Sequence, residues 1–149
     1  MAEADASPLE RLNRIWKESD RIYHDVARRS GLSDCAFWIM YGLMNMDRPL
    51  PQKDMSQSWQ YSRQTVASAL RQLEERRLIT VRLADGSRRD KVIELTDAGA
   101  EFVERYVAPV ALAEQTALQG MGDDAERLID MMRLYVQLLD TSLSAQTEP

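Results

Sequence analysis

Leu9, Leu12, Ile15, Trp16, Ile22, Tyr23 and Val26 recur at near-helical spacing. They predict one long helix over residues 8–29, with Ser7 as its cap and Pro8 in the first turn. Ser30-Gly31 ends it. A second helix follows Ser33-Asp34 and reaches about Asn45. It is apolar on most sides and is expected at the centre of the core. The segment MDRPLPQ then reads as a loop, because two prolines close together resist helix. A short helix fits Gln52 to Trp59. Ser62 caps the following one, where Val66, Ala69, Leu70 and Leu73 form an inward stripe. Its complementary face carries Arg63, Gln64, Ala67, Ser68 and Arg71.

Beyond that helix the period changes to two. Ile79, Val81 and Leu83 alternate with Thr80 and Arg82, and Ala84-Asp85-Gly86-Ser87 is turn chemistry. Val92, Ile93 and Leu95 make a second strand, so the segment is expected to be a two-stranded hairpin. Thr96 caps a helix from Asp97 to about Gln119, which Pro109 should kink or break near Val107. Gln119-Gly-Met-Gly122 is a break, and Asp123-x-x-Glu126 reads as a capping box opening the last helix. That helix carries Leu128, Ile129, Met131, Met132, Leu134, Tyr135, Val136, Leu138, Leu139 and Leu143, too wide an apolar surface for one face. Burial inside the monomer would account for it. Burial against a second copy is preferred, because a terminal helix has few other neighbours.

Charge sharpens this picture. The chain of 149 residues is acidic, with a net charge of −5. Between Trp59 and Lys91, however, Arg63, Arg71, Arg76, Arg77, Arg82, Arg88, Arg89 and Lys91 outnumber Glu74, Glu75, Asp85 and Asp90. The window carries +4 and the remainder −9. A polyanion senses such a local basic face at close range, whatever the sign of the whole.

Composition also excludes function classes. The acidic start MAEADASPLE has no apolar core and does not read as a signal peptide. The strongly apolar run from Ala36 to Met44 is far short of the roughly 20 residues that span a bilayer. The chain is therefore expected to be soluble and cytoplasmic, with no membrane partner. One cysteine, Cys35, and one histidine, His24, leave no internal disulfide, no cysteine-rich metal site and no nucleophile–base pair. No phosphate-cradling or zinc-protease motif is present. An enzyme, a metal or a cofactor is not expected.

The order helix, tight turn, helix, basic-tipped hairpin is that of a winged helix-turn-helix. In that arrangement the second helix enters the DNA major groove and residues near its N-terminus reach base edges. Arg63, Gln64 and Thr65 stand there, with Ser68 and Arg71 one and two turns further on. Arg can bond guanine bidentately and Gln adenine, and a helix N-terminus favours a phosphate. Arg88 and Arg89 sit at the hairpin tip with Lys91 just beyond, where an arginine can enter a narrow minor groove.

The segment QKDMSQSWQYSRQTVASALRQLEERRLITVRLADGSRRDKVIELTDAGAEF resembles the MarR family of bacterial transcription regulators. The matching positions are Ser62 to Val66 at the start of the recognition helix, and Leu70, Leu73, Glu74, Leu78 and Ile79 along its exit. After the basic wing come Leu95, Thr96 and Gly99 of "LT-x-x-G". The resemblance implies a homodimer with interlocked N- and C-terminal helices, gripping a pseudo-palindromic double-stranded DNA site and often answering to small aromatic ligands or oxidants. It implies Ser62, Arg63, Gln64, Thr65, Ser68 and Arg71 as major-groove candidates, and Arg89, with Arg88 and Lys91, on the wing.

The sequence departs from the family at three places. The family's wing Asp-x-Arg pair reads Ser87-x-Arg89, with Asp85 and Asp90 as neighbouring carboxylates that could take the missing part. Gln60 stands in the turn where glycine is usual. Arg77 replaces the glycine before "LI" and is expected in a left-handed conformation.

Trp16, Trp38, Tyr41 and Met44, with Met40 nearby, could line an effector pocket, although ordinary core packing explains them too and is preferred. Cys35 could sense oxidants only if exposed and near positive charge; a buried, inert thiol is the preferred reading. His24 reads as a packed or surface histidine rather than a ligand.

The expected fold is mainly α with a small β-hairpin wing: a winged helix-turn-helix over residues 46–96, flanked by N-terminal helices over 1–45 and C-terminal helices over 97–149 that dimerise. The expected function is a homodimeric, sequence-specific DNA-binding transcription regulator, a repressor released by a small ligand. The alternative is a winged-helix protein-interaction module without DNA binding, since fold alone does not fix function.

Overall fold

The structure is a computed structural model and describes residues 6–44, 46, 50–51 and 61–147. Helix α1, Pro8–Ser30, begins with a capping box. Ser7 Oγ accepts from the Glu10 N–H at 3.3 Å, and Glu10 Oε2 accepts from the Ser7 N–H at 2.8 Å. That backbone bond, with a second from the Ser7 hydroxyl, holds the Glu10 carboxyl below its ordinary range. Gly31 closes the helix at φ 76, a conformation that costs glycine nothing.

Helix α2, Asp34–Met44, is the central element the sequence predicts. Cys35, Ala36, Phe37, Ile39, Met40 and Leu43 are all buried. The short helix expected over Gln52–Trp59 and the turn at Gln60 lie outside the described residues. Helix α3, Arg63–Glu75, follows, capped by Ser62, whose Oγ accepts from the Thr65 N–H at 3.1 Å. Val66, Ala69, Leu70 and Leu73 are buried as the stripe requires.

Strands β2, Ile79–Leu83, and β3, Lys91–Leu95, pair antiparallel with Val81 opposite Ile93. The alternation fades outward: Ile79 is buried, Val81 half-buried, and Leu83 exposed at 52%, because the hairpin projects past the core. The sheet is larger than the hairpin expected from sequence. Leu50–Pro51, within the segment read as a loop, forms strand β1 on the far side of β3, with Leu50 opposite Ile93. Two residues carry no readable period. Proline is tolerated there because an edge strand does not need every N–H in its ladder.

The exit of α3 is tightly built. Arg77 adopts φ 58, as expected for a residue in the glycine position. Its N–H bonds Glu74 O at 2.8 Å and the Leu78 N–H bonds Leu73 O at 2.9 Å. These are the two bonds of a Schellman motif, with buried Leu73 and Leu78 as its apolar pair. Leu78 O then accepts from the Thr96 N–H at 3.1 Å. Thr96 Oγ1 donates to Arg77 O at 2.7 Å and accepts from the Gly99 N–H at 3.0 Å, which caps helix α4, Asp97–Phe102. A Cβ on Gly99 would lie 1.9 Å from Leu78 O. Glycine at that position is therefore a requirement of close backbone approach.

Pro109 acts where expected, by an unexpected device. The helix becomes a π-helical turn over Val103–Val107 and resumes as α5, Ala108–Gly120. Pro109 offers no N–H to the carbonyl of Arg105, and the wider turn before it accommodates the ring without ending the helix. Gly122, at φ 57, then reverses the chain into α6, Asp124–Thr147. The first amides of α6, Asp124 and Ala125, bond the carbonyls of Met121 and Gly122.

The chain forms two compact units, Met1–Pro109 and Val110–Pro149. The first holds the core just described. In the second, Leu112, Leu128, Met131, Leu134, Val136, Leu138 and Leu143 are exposed.

Two substitutions test the α3 exit. Arg77→Gly should raise stability by up to about 1 kcal/mol by relieving the left-handed conformation, seen as a higher urea midpoint at unchanged slope. Gly99→Ala should lower it by about 2–3 kcal/mol, because the added methyl meets backbone that cannot yield cheaply.

Candidate nucleic-acid interface

Helix α3 presents three kinds of surface. Its apolar stripe faces the core. Arg63, Gln64, Thr65, Ala67, Ser68 and Arg71 are exposed, as the sequence predicts. Ser62 and Thr65 also face each other, their hydroxyls 2.8 Å apart, so both build the start of the helix. The flank carrying Gln72 and Arg76 meets the turn between α1 and α2. Gln72 Oε1 accepts from Ser33 Oγ at 3.0 Å, and Arg76 Nη1 donates to Gly31 O at 3.0 Å.

The wing sorts its charges sharply. Arg82 on β2 donates from Nε and Nη2 to both carboxylate oxygens of Glu94, at 2.9 and 3.1 Å, and from Nη1 to Asp85 Oδ1 at 3.1 Å. These bonds hold the Glu94 carboxyl below its ordinary range and push the Arg82 guanidinium up. Thus Arg82 stiffens the hairpin. At the tip Ser87 Oγ accepts from the N–H groups of Arg89 and Asp90, at 3.2 and 2.9 Å, and donates to Asp90 Oδ2 at 3.1 Å. Of the two carboxylates that could have oriented Arg89, Asp85 is bonded to Arg82 and Asp90 to Ser87. Among the described residues neither pairs with Arg89. Ser87 instead shapes the backbone from which Arg88, Arg89 and Lys91 project, all exposed.

Arg63 and Arg71 on the helix, and Arg88, Arg89 and Lys91 on the wing, make no ion pair with another described residue. Sequence reading could not separate these from Arg76, whose partners lie 45 and 46 residues away, or from Arg82, whose two-point partner Glu94 lies 12 away. The one available signal was Glu94, opposite Thr80 and diagonal to Arg82 in the hairpin register.

Residues 30–90 match the protein-family model described as MarR family. The match runs from the end of α1 through α2, α3 and β2 to the wing tip and stops before β3. Solved MarR-type structures share the fold over nearly the whole chain. The Neisseria meningitidis MarR family regulator NMB1585 superposes with TM-score 0.76 at 17% identity, covering 95% of this chain and 100% of its own. MepR of Staphylococcus aureus, in its DNA-binding conformation, gives TM-score 0.71 at 22% identity over 92% of this chain and 99% of its own. The MepR–DNA complex gives 0.71 at 21% identity, with the same coverage. Identities this low establish the fold. No curated protein matches the sequence significantly.

The proposed pocket residues are only partly brought together. Trp38 stacks among Tyr23 and Tyr41, with ring centroids 5.0 and 5.3 Å away. Trp38 lines an open cavity of about 510 Å³ with Tyr23, Tyr61, Asp20 and Arg21. Tyr41 and Met44 are half-buried on α2, and Trp16 is 41% exposed on α1; none of the three lines that cavity. Tyr61, immediately before the α3 cap, carried no sequence signal for this position. His24 Nδ1 lies 3.0 Å from Asp34 Oδ1, an exposed pair joining α1 to α2. Among the described residues no group of three or more His, Cys, Asp or Glu is placed to hold a metal, and no helix is long and apolar enough to cross a membrane.

Cys35 is 3% exposed, and burial pushes its thiol up to about 11. The thiolate needed for attack is then scarce at neutral pH. A water-soluble disulfide reagent should label Cys35 at pH 7.5 only as fast as the protein unfolds, with immediate labelling on adding denaturant. Rapid labelling of the native chain would mark an accessible, reactive thiol instead.

Proposed function

We propose that this protein is a homodimeric, sequence-specific double-stranded-DNA-binding transcription regulator of the MarR type, acting as a repressor that a small ligand releases. One observation carries the reading. In an acidic chain, the exposed basic residues Arg63 and Arg71 lie along the outer face of α3 and Arg88, Arg89 and Lys91 at the wing tip, while Arg76 and Arg82 are engaged by the protein itself and Arg77 stands in the left-handed turn that ends α3. A solvated surface has no reason to divide its cations that way. A nucleic acid with a groove for the helix and flanking backbone for the wing does. The DNA-bound MepR structure, of similar fold, supports the same reading.

Arg63 and Gln64, in the first turn of α3, are the base-reading candidates, since each can bond a purine bidentately. Ser68 and Arg71 follow along the groove. Arg89, with Arg88 and Lys91, meets the backbone or the narrow groove beside it. The apolar surface of α6, unburied in the single chain, is suited to a second copy, which would set two α3 helices about one DNA turn apart. A ligand in the Trp38 cavity would act by binding better to a form with another spacing, lowering DNA affinity by that difference. Tyr23, Trp38 and Tyr61 suit an aromatic ligand.

A footprint on the DNA upstream of the protein's own gene, at near-physiological salt, tests the reading. A discrete, roughly two-fold symmetric protected site is expected. Smearing alone, or no protection there or on a randomised-sequence selection, would shift the reading to a protein-interaction module. Arg89→Ala should weaken binding and reduce the salt slope by about 1. An unchanged affinity and slope would remove Arg89 from the interface.

A further inference from the structure

We propose that Gln72 and Arg76 are positioning residues for the DNA interface: they clamp α3 to the α1–α2 turn and set the direction in which Arg63, Gln64, Ser68 and Arg71 point. The inference rests on the DNA-binding reading for its functional consequence, and on distances within the first unit for the clamp itself.

The two residues are four apart, so they share one flank of the helix. That flank lies beside the buried stripe, with Gln72 half-buried and Arg76 exposed. Gln72 Oε1 accepts from the Ser33 hydroxyl at 3.0 Å and from the Ser33 N–H at 3.3 Å. Ser33 Oγ in turn accepts from the Ala36 N–H at 3.3 Å, so the residue holding Gln72 also caps α2. Arg76 Nη1 donates to Gly31 O at 3.0 Å and to Ser30 O at 3.4 Å. These carbonyls belong to the last residue of α1 and to its left-handed cap, Gly31, at the negative end of a helix of 23 residues. The guanidinium also lies 5.4 Å from the centroid of the Phe102 ring. Three elements, α1, α3 and α4, thereby meet on one side chain. The guanidinium does both at once, donating from Nη1 to two carbonyls while it lies near the ring.

Apolar packing alone does not supply this precision. Val66, Ala69, Leu70 and Leu73 hold α3 against the core, but that attraction is non-directional and tolerates small rolls and tilts. Hydrogen bonds to a fixed turn do not. A helix of 13 residues is about 20 Å long. A tilt of about 5° would move its far end by roughly 1.7 Å, well beyond the tolerance of a bidentate base contact. Arg76 is thus a basic residue of the window that serves DNA without touching it.

The test uses the full chain with Gln72→Ala, Arg76→Ala and Arg76→Lys, and Arg71→Ala as the contact control. Operator and random-sequence DNA are titrated over a salt series, and amide exchange is measured without DNA. Arg76→Ala should lose roughly tenfold in operator affinity while keeping its random-sequence affinity and salt slope. The double variant with Gln72→Ala should lose more, and Arg76→Lys should recover part, retaining one carbonyl bond. In DNA-free protein, amides of α3 and of residues 30–33 should exchange faster. Arg71→Ala should instead lower the salt slope by about 1 with exchange unchanged. Operator affinity equal to wild type in the double variant would overturn the proposal, as would a reduced slope in Arg76→Ala, which would make Arg76 a phosphate contact. If Arg76→Ala fails to fold, Arg76→Lys and Gln72→Ala carry the same comparison. If wild-type protein binds no specific site, the functional reading fails, and unchanged exchange in α3 would sink the clamp separately.

Discussion

The backbone of Arg77 and Leu78 is the point on which the winged unit turns. Within two residues the chain leaves α3, reverses through a left-handed conformation and enters β2. The Leu78 N–H closes α3 by bonding Leu73 O, and the Leu78 carbonyl receives the Thr96 N–H as the chain returns from β3. Thr96 also bonds Arg77 O and caps α4. Gly99 admits this approach because it has no Cβ to collide with Leu78 O. Helix, wing and returning helix are therefore fixed to one another by a few backbone bonds, with no loop that could let them drift. A rigid relation between helix and wing is what simultaneous engagement of a groove and its flanking backbone demands.

Charge is distributed on the same principle of rigidity. Arg76 and Arg82 are spent on architecture, one at the carbonyl end of α1 and the other across the hairpin to Glu94 and Asp85. At Arg82 the guanidinium fork makes a two-point contact with Glu94 that an ammonium could not reproduce. The cations at the start of α3 and on the wing tip stand on elements already held in place, so less freedom is lost when they meet a ligand. Ser87 extends the scheme to the tip, where its hydroxyl takes two backbone N–H groups and so replaces a carboxylate-oriented arginine with a shaped turn.

The second unit follows a different logic. The apolar residues of α6 occur all round the helix, and the single chain leaves them exposed. A helix of that composition is stable in water when another apolar surface covers it. On the proposed reading that surface is the same helix of a second chain, and this contact would set the spacing between two recognition helices.

Much of this was legible in the sequence because it is local. Helical spacing gave α1, α2 and α3, and the change of period at Ile79 marked the hairpin. Ser7, Ser62 and Thr96 announced their helices through bonds that reach only three residues. Even the strained Arg77 could be foreseen, since the turn it occupies admits few conformations whatever the residue. The π turn before Pro109 was half legible: proline dictated a disturbance, but packing against α2 decided that the helix would continue through it. Strand β1 was not legible, because two residues have no period and only the edge of β3 makes them a strand. The division of the arginines was not legible either. By composition Arg76 and Arg71 are alike. They differ because Arg76 meets the carbonyl of Gly31, 45 residues away in the chain, whereas Arg71 meets no such partner among the described residues. Local chemistry determined which elements form and where they end; only their packing in three dimensions decided which of the basic side chains hold the fold together and which remain free to meet something else.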